Sequence, residues 1–320
     1  MLATASPAPP AFGVIAGLLS AAFMALSYLM SRHHALSHAP ERRPSASWLL
    51  LLRSHALMAL VCVPVAAVMW PAAMPAIRDY GPPLVGAAAL YLTGNAIFFS
   101  VLRQVEASRL IPFLGLKIFI LAAIVAFVLG QPLSSRQWIG VVLSVAATAM
   151  LQGAAGGLPR QAFALVIATC LCFAIADLCI VRLIDAIEPA MGGDRLRAAT
   201  LAMLLNYCLC GAASIAGLAI AWAKAAPDAR SAKPGDWRMA AFYAVTWLAA
   251  MAWLYICFAF TGAVLGNVIQ STRGIMSVVV GAALAHLGWH ELEQRVDRLT
   301  LLRRVAAAVL MTAAIAVSVQ

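Results

Sequence analysis

Long apolar runs, separated by short polar connections, make up nearly the whole chain. A transmembrane helix needs about 20 consecutive apolar residues, because it rises about 1.5 Å per residue across a hydrocarbon layer about 30 Å thick. The connections are rich in proline, glycine and charge, and they leave no room for a soluble domain. The pattern predicts ten helical spans, at 11–31, 47–70, 83–102, 107–129, 136–152, 161–183, 197–222, 237–260, 262–287 and 301–319.

Composition indicates that lipid is the solvent for most of the chain. Hydrophobic residues make up 64% of the sequence and charged residues 11%, whereas soluble domains average roughly 45–50% and 25%. The net charge of +10 comes from lysine and arginine residues that stand singly or in pairs between the apolar runs. These charges fit lipid headgroups, and because they form no basic face, no nucleic-acid partner is expected. We predict an all-α integral membrane protein, multi-pass in the cell (inner) membrane, as a monomer or a homodimer.

No cofactor is expected. The seven cysteines all fall inside apolar runs, where thiols behave as small hydrophobic groups and predict neither a disulfide framework nor a metal site. No glycine-rich phosphate loop follows a strand, so a process driven by ATP hydrolysis is not supported.

The two halves of the chain resemble each other. Residues 23–32 (Phe-Met-Ala-Leu-Ser-Tyr-Leu-Met-Ser-Arg) in the first span align with residues 173–182 (Phe-Ala-Ile-Ala-Asp-Leu-Cys-Ile-Val-Arg) in the sixth. With five spans in each half, the second copy is inserted upside down relative to the first, as in many secondary transporters. We predict two inverted five-helix repeats, 1–155 and 156–320, that form one transport unit.

Several short motifs fall at fixed places in the first half. Leu52-Arg53 opens the second span, 106–108 (Glu-Ala-Ser) precedes the fourth, Pro112 lies one turn into it, and 129–140 forms an elbow before the fifth. With these motifs in a five-plus-five arrangement, the chain resembles the EamA branch of the drug/metabolite transporter superfamily. The resemblance implies a ten-helix transporter that works by alternating access and is not an enzyme.

The chain departs from the family pattern at both elbows. Gln131 stands where the first elbow usually has Glu. The second elbow is 288–293 (Gly-Trp-His-Glu-Leu-Glu), and Arg303-Arg304 follow it where Gly is expected. Orientation stays open. Fourteen lysine and arginine residues lie in connections on one side and five on the other, which would put both termini outside, whereas the resemblance implies that both are inside.

Three ionisable residues lie deep inside predicted spans: Lys117 in the fourth, Asp177 in the sixth and Arg273 in the ninth. A charge at the bilayer centre costs roughly 2.5–3.5 kcal/mol on insertion scales, so each one needs a compensating interaction. One explanation is that Asp177 pairs with Lys117 or Arg273 and fixes the helices together, which leaves one cation over. The other is that the cations line a water-filled cavity and bind an anionic or zwitterionic solute.

Symmetry favours the second explanation. The fourth and ninth spans are equivalent in the two repeats, so Lys117 and Arg273 can approach a pseudo-twofold axis near the midplane. By resemblance, plastid phosphate translocators place basic residues on these two helices, which points to a carboxylate or phosphate on the solute. Further candidates for solute binding are Gln270, Asn267, Asp177, Asn95 and Asn206, with Tyr91, Tyr207, Trp247, Trp253 and Tyr255 as weaker ones.

The sequence thus predicts a secondary transporter, an exporter or exchanger, of a small polar metabolite that is anionic or zwitterionic. A flippase for a lipid-linked phosphate-bearing headgroup is the alternative on the same fold. A membrane-embedded enzyme would need a convergent set of acid, base or nucleophile, and one deep Asp with no deep histidine does not supply it.

Overall fold

The computed structural model describes residues 10–36, 43–102, 114–151, 160–224, 234–277, 280 and 298–319. Nearly all of these residues are helical, and none of them lies in a β-strand. The helices are α1 (Pro10–Leu36), α2 (Arg43–Met69), α3 (Ile77–Leu102), α4 (Leu116–Ala123), α5 (Ser135–Leu151), α6 (Arg160–Ile187), α7 (Arg195–Lys224), α8 (Pro234–Gln270) and α9 (Arg298–Val319). A π-helical turn, Ile124–Val128, extends α4, and a 3-10 turn, Glu188–Met191, follows α6.

Within the described ranges, five segments are long and apolar enough to cross a membrane. They are Ala11–Ser31, Trp48–Met69, Arg160–Met191, Arg195–Ala223 and Gly235–Gln270. Two shorter apolar helices, Leu116–Val128 and Ala306–Ser318, lie where the fourth and tenth spans are predicted. Helices also occupy the third and fifth predicted spans, as α3 and α5. The all-helical prediction is therefore confirmed.

Local sequence explains where two of the helices begin. At the start of α5, the Gln137 amide nitrogen donates to Ser134 Oγ, and the Ser134 amide nitrogen donates to Gln137 Oε1. This reciprocal capping satisfies two amide groups that the first turn leaves without partners. At the start of α7, Asp194 Oδ1 accepts from the amides of Leu196 and Arg197. A carboxylate there also suits the positive end of the helix dipole.

The boundary predicted between the eighth and ninth spans is a kink inside α8. Gly262 has φ 73° and ψ 174°, which interrupts the helical backbone at the predicted position. The ninth span, however, is not a continuous helix over its described part. It breaks in a turn at Ser271 and Thr272 and resumes over 273–277. Residues 278–279 and 281–297, which include the second elbow, lie outside the described residues.

The helices associate mainly in four pairs. α1 packs along α8, α3 along α6, α2 along α7, and α5 along α9. Glycine permits the closest approaches, since a Cβ at Gly94 would lie 2.7 Å from Phe173 Cε1, and one at Gly211 would overlap the Ala59 side chain. The large buried side chains Tyr207, Tyr255 and Phe258 belong to the main core between α2, α7 and α8. A second core, around Leu121 and Val268, joins α4 and α5 to the end of α8.

Candidate functional site

An ion pair joins the fourth and sixth spans at the edge of the second core. Lys117 Nζ lies 2.7 Å from Asp177 Oδ2, and the two side chains are only 14% and 8% exposed. A buried apolar residue is the chain neighbour of each charged residue: Ile118 follows Lys117, and Ala176 precedes Asp177. Packing of these neighbours helps to hold both charged side chains inside the protein. The pair offsets part of the cost of placing either charge away from water. Of the two partners considered for Asp177, the structure places Lys117 in contact with it.

Asn267 brings α8 to the same carboxylate. Its Nδ2 lies 2.7 Å from Asp177 Oδ2 and 2.9 Å from the Ala263 carbonyl oxygen. Both of these oxygens accept, so the nitrogen end of the amide faces them. The kink at Gly262 lies between the first part of α8 and the segment that carries Asn267, and it sets the angle between them. Three helices, α4, α6 and α8, therefore converge on one buried oxygen atom.

Gln270 ties the end of α8 to the first span. Its Nε2 donates to Ser20 Oγ over 2.6 Å, and Ser20 Oγ donates to the Ala250 carbonyl oxygen over 2.6 Å. Gln270 is buried, and its Oε1 has no hydrogen-bond partner among the described residues. A buried acceptor without a partner is a place where a bound molecule can donate a hydrogen bond.

Arg273 follows the break in the ninth span and is half-buried. Its Nη1 lies 3.7 Å from Met24 Sδ, and within the described ranges no carboxylate forms an ion pair with it. Lys117 and Arg273 both lie within electrostatic range of the Cys170 thiol on α6, so the two cations approach the same part of the molecule. With Asp177 committed to Lys117, these three groups carry one net positive charge.

Asn95 and Asn206 lie outside this cluster. Asn95 Nδ2 donates to the Tyr91 carbonyl oxygen one turn earlier in α3. Asn206 is buried in α7, and its Oδ1 has no partner among the residues that the structure describes. The structure thus brings together Lys117, Asp177 and Asn267, and it leaves these two amides elsewhere.

The expectation of no deep histidine is wrong. His55 lies in the middle of α2 and is 0% exposed. Its Nδ1 is 2.8 Å from the Leu51 carbonyl oxygen, and its Nε2 is 3.1 Å from the Tyr91 hydroxyl. One histidine does not interrupt the hydrophobic pattern of a span, which is why the pattern alone passes over it. The polar triplet Arg53-Ser54-His55 is the sequence signal that marks it.

Most of the aromatic candidates pack against one another. The His55 ring stacks on Tyr207 with centroids 5.7 Å apart, and Trp247 Nε1 donates to the Tyr207 hydroxyl over 2.9 Å. Tyr91 contacts both Tyr207 and Phe173. These contacts link α2, α3, α6, α7 and α8. Tyr255 is also buried, and its hydroxyl has no partner among the described residues.

The family motifs are only partly within the described structure. Gly130 of the first elbow has φ 64°, a backbone conformation that glycine adopts readily, and it ends the π-helical turn after α4. Residues 106–108, Pro112 and the second elbow lie outside the described residues.

Comparisons with known proteins agree with the helical architecture. One solved structure, described as the crystal structure of a protein, matches with a TM-score of 0.68 at 14% identity, over 96% of this chain and 95% of that chain. Identity this low shows a shared fold alone. No curated protein matches the chain. The sequence profile of the EamA-like transporter family matches residues 11–152, which confirms the resemblance over that range. The first part of the chain, residues 11–152, is therefore similar to the EamA-like transporter family, which belongs to the drug/metabolite transporter superfamily.

Proposed function

We propose that the protein is a secondary transporter that moves a small anionic or zwitterionic metabolite across the cell (inner) membrane by alternating access. One observation carries the proposal: Arg273 is a cation deep in a predicted span that has no carboxylate partner among the described residues. Such a charge is costly in a membrane unless it meets water or an anion. A negatively charged group on the solute would supply the missing partner.

The packing of the helices supports the proposed inverted repeats, 1–155 and 156–320. A twofold exchange of the halves converts the first span into the sixth and the third into the eighth. It therefore converts the α1–α8 pair into the α6–α3 pair, and both pairs are observed. The α2–α7 and α5–α9 pairs each join a span to its counterpart, so the exchange leaves them unchanged. This arrangement would let one half rock against the other around a central site.

We place the solute between Lys117 and Arg273, which stand on equivalent spans of the two proposed repeats. Asn267 and Gln270 lie on the segment that leads to Arg273, and the free Oε1 of Gln270 can accept a hydrogen bond from the solute. Asp177 forms an ion pair with Lys117 at one side of this site. Asn95 and Asn206 stay predictions, since neither contacts this group in the described structure.

The test is a thermal-shift screen of purified protein with organic acids, amino acids and sugar phosphates, followed by uptake of each stabilising solute into proteoliposomes. We expect anionic or zwitterionic solutes to stabilise the wild type, and Arg273→Gln to lose both stabilisation and uptake. The matched control is Arg78→Gln, because the Arg78 side chain is 87% exposed and should not contact a solute. Solute binding and uptake that survive Arg273→Gln at normal protein levels would contradict the proposal.

The same screen separates the alternative function. Lipid-linked phosphates are included with the water-soluble solutes. Stabilisation by the lipid-linked compounds alone would favour a headgroup flippase over a metabolite transporter.

A further inference from the structure

The compensation of the Asp177 charge depends on very few groups. Its carboxylate is 8% exposed, and Lys117 is the one cation among the described residues that forms an ion pair with it. Asn267 adds a neutral hydrogen bond to the same oxygen atom. Burial of a charged carboxylate is tolerated only while a cation and hydrogen-bond donors balance it.

A solute anion that binds Lys117 must compete with this pair. Lys117 Nζ already lies 2.7 Å from Asp177 Oδ2. A solute anion bound to the same ammonium group would be repelled by the negative charge of the Asp177 carboxylate. If the solute draws Nζ away, Asp177 keeps only the Asn267 amide and becomes an uncompensated buried charge. The neutral acid is then the state of lower free energy.

We propose that Asp177 is a proton-binding site coupled to solute binding: a solute anion takes Lys117, and Asp177 takes up one proton in exchange. The inference rests on the proposed function, because it requires an anion at Lys117. The proton comes from water on the side to which the site is open and adds to the Asp177 carboxylate to form the neutral acid. When the solute leaves, Lys117 pairs with Asp177 again and the proton returns to water.

The groups around Asp177 favour this carboxylate as the proton acceptor. α4 contributes Lys117, α8 contributes Tyr255, and Arg273 follows α8 on the side of Met24. On α6 itself, Cys179 lies near both Asp177 and Arg182, and Cys170 lies near both Lys117 and Arg273. From α3 and α7, Tyr91 and Tyr207 stand in the next layer of side chains, where Tyr91 packs on Phe173 one turn before Asp177. The tyrosine and cysteine side chains around Asp177 are neutral at ordinary pH and already carry their protons. The lysine and arginine side chains are already protonated cations, so neither kind of group can take up a further proton.

A direction for coupling follows from the charges. The loaded site holds the anion, Lys117 and a neutral Asp177, whereas the empty site holds the Lys117–Asp177 pair. Together with Arg273, the site then carries one net positive charge in both states, so the loaded and the empty site are equally able to change access across the membrane. One proton should then move with each solute molecule, in the same direction.

The experiment counts the protons taken up when an anion binds to the purified wild-type protein. The probes are sulfate, methanesulfonate and 2-aminoethanesulfonate, whose acidic groups stay ionised throughout the working range, so that any proton taken up belongs to the protein. Binding is measured by calorimetry, and protons by a pH indicator in weakly buffered detergent. We expect close to one proton per bound anion, and affinity that rises about tenfold for each unit by which the pH is lowered.

The matched variant is Asp177→Asn, which keeps a hydrogen-bonding side chain of the same shape but has no carboxylate. It should bind the same probe with no proton uptake and with an affinity independent of pH. If this variant does not fold, Asp177→Ser, which also lacks the carboxylate, takes its place in the same measurement.

The possible failures are distinguishable. A wild type that binds a probe with no proton uptake and with constant affinity overturns the coupling and leaves the proposed transporter intact. Equal proton uptake by Asp177→Asn also overturns it, because another group must then be the acceptor. If a folded wild type binds none of the three anions, the anion site itself is wrong, and the proposed function fails together with the coupling.

Discussion

The side-chain amide of Asn267 lies 2.7 Å from the carboxylate of Asp177 and joins two helices that are far apart in the sequence. Asn267 follows the Gly262 kink in α8, and Asp177 lies in the middle of α6. The kink at Gly262 interrupts the helical backbone of α8 five residues before Asn267. The kink is therefore part of what assembles the site, and its geometry can be tested without touching a charged residue.

Gly262→Ala should destabilise the protein and weaken solute binding. Gly262 has φ 73° and ψ 174°, a conformation that is essentially restricted to glycine, and no atom lies within 4 Å of the added Cβ. The cost is thus backbone strain of about 1–3 kcal/mol. Thermal unfolding can be followed with a thiol-reactive dye, since Cys62, Cys170, Cys210 and Cys257 are buried.

Gly235→Ala is the matched control for this strain. Gly235 has equally open surroundings, but its φ is not positive, so the same added methyl group should leave the unfolding temperature unchanged. If Gly262→Ala and Gly235→Ala had the same unfolding temperature, a side chain at the kink would cause no backbone strain.

Much of this architecture can be predicted from sequence, because span length and hydrophobic pattern are local properties. The helices α1, α2, α6 and α7 fall where the apolar runs predict them, and Gly262 breaks α8 between the eighth and ninth predicted spans. The deep position of Lys117, Asp177 and Arg273 is also evident, since each interrupts an apolar run.

The rest depends on contacts between distant parts of the chain. The sequence leaves open which cation pairs with Asp177, because that depends on how α4 and α8 lie against α6. The hydrogen bond from Gln270 to Ser20 joins residues 250 positions apart, and no local pattern marks it. His55 is overlooked for another reason, since a single histidine changes the hydropathy of a span very little. The helix breaks at Ser271 and Thr272, and neither position has a proline or glycine that would have predicted the break.

Removing Lys117 should destabilise the protein more than removing both members of its ion pair. Lys117→Gln leaves the Asp177 carboxylate buried without a cation, which costs about 3–5 kcal/mol in comparable buried pairs. The double variant Lys117→Gln with Asp177→Asn replaces the charges by two neutral amides that can bond each other. It should recover most of the lost free energy of unfolding, measured by titration with a denaturing detergent.

The exposed pair formed by Arg78 and Asp79 provides the comparison. Their side chains are 87% and 56% exposed and 3.8 Å apart, so Arg78→Gln should change stability by less than about 0.5 kcal/mol. Strictly additive effects of the Lys117 and Asp177 substitutions would mean that the buried pair contributes no coupling.

Gly211→Ala should separate α7 from α2 and lower the unfolding temperature. A Cβ at Gly211 would overlap the Ala59 side chain and lie 2.9 Å from the His55 carbonyl oxygen, which cannot move without shifting the α2 backbone. Overpacking of this kind costs about 1–3 kcal/mol. Adding Ala59→Gly removes one of the two clashes and should restore part of the stability.

Gly217→Ala lies two turns further along α7 and is the matched control. Its Cβ would lie 3.3 Å from the flexible end of the Leu52 side chain, which can give way. We expect a much smaller shift in the unfolding temperature. A Gly217→Ala effect as large as that of Gly211→Ala would indicate that loss of glycine itself, and not the close helix approach, is responsible.

His55 and Tyr91 should be energetically coupled. The Leu51 carbonyl can only accept a hydrogen bond, so His55 Nδ1 must carry a hydrogen, and in the neutral ring Nε2 then accepts from the Tyr91 hydroxyl. His55→Phe keeps a ring that can stack on Tyr207 but leaves that hydroxyl without its partner. Tyr91→Phe removes the hydroxyl and leaves Nε2 unpaired. Each single variant should therefore be destabilised by about 1–3 kcal/mol, the cost of a buried polar group left without a partner.

The double variant decides whether the contact itself is responsible. With both residues replaced by Phe, no polar atom of the pair remains unsatisfied, so the loss should be smaller than the sum of the two single losses by about 0.5–1.5 kcal/mol. The free energies of unfolding of the four proteins give this coupling directly. A coupling near zero would mean that the 3.1 Å contact between Nε2 and the Tyr91 hydroxyl contributes nothing to the association of α2 with α3. The link between these helices would then depend on ring packing alone.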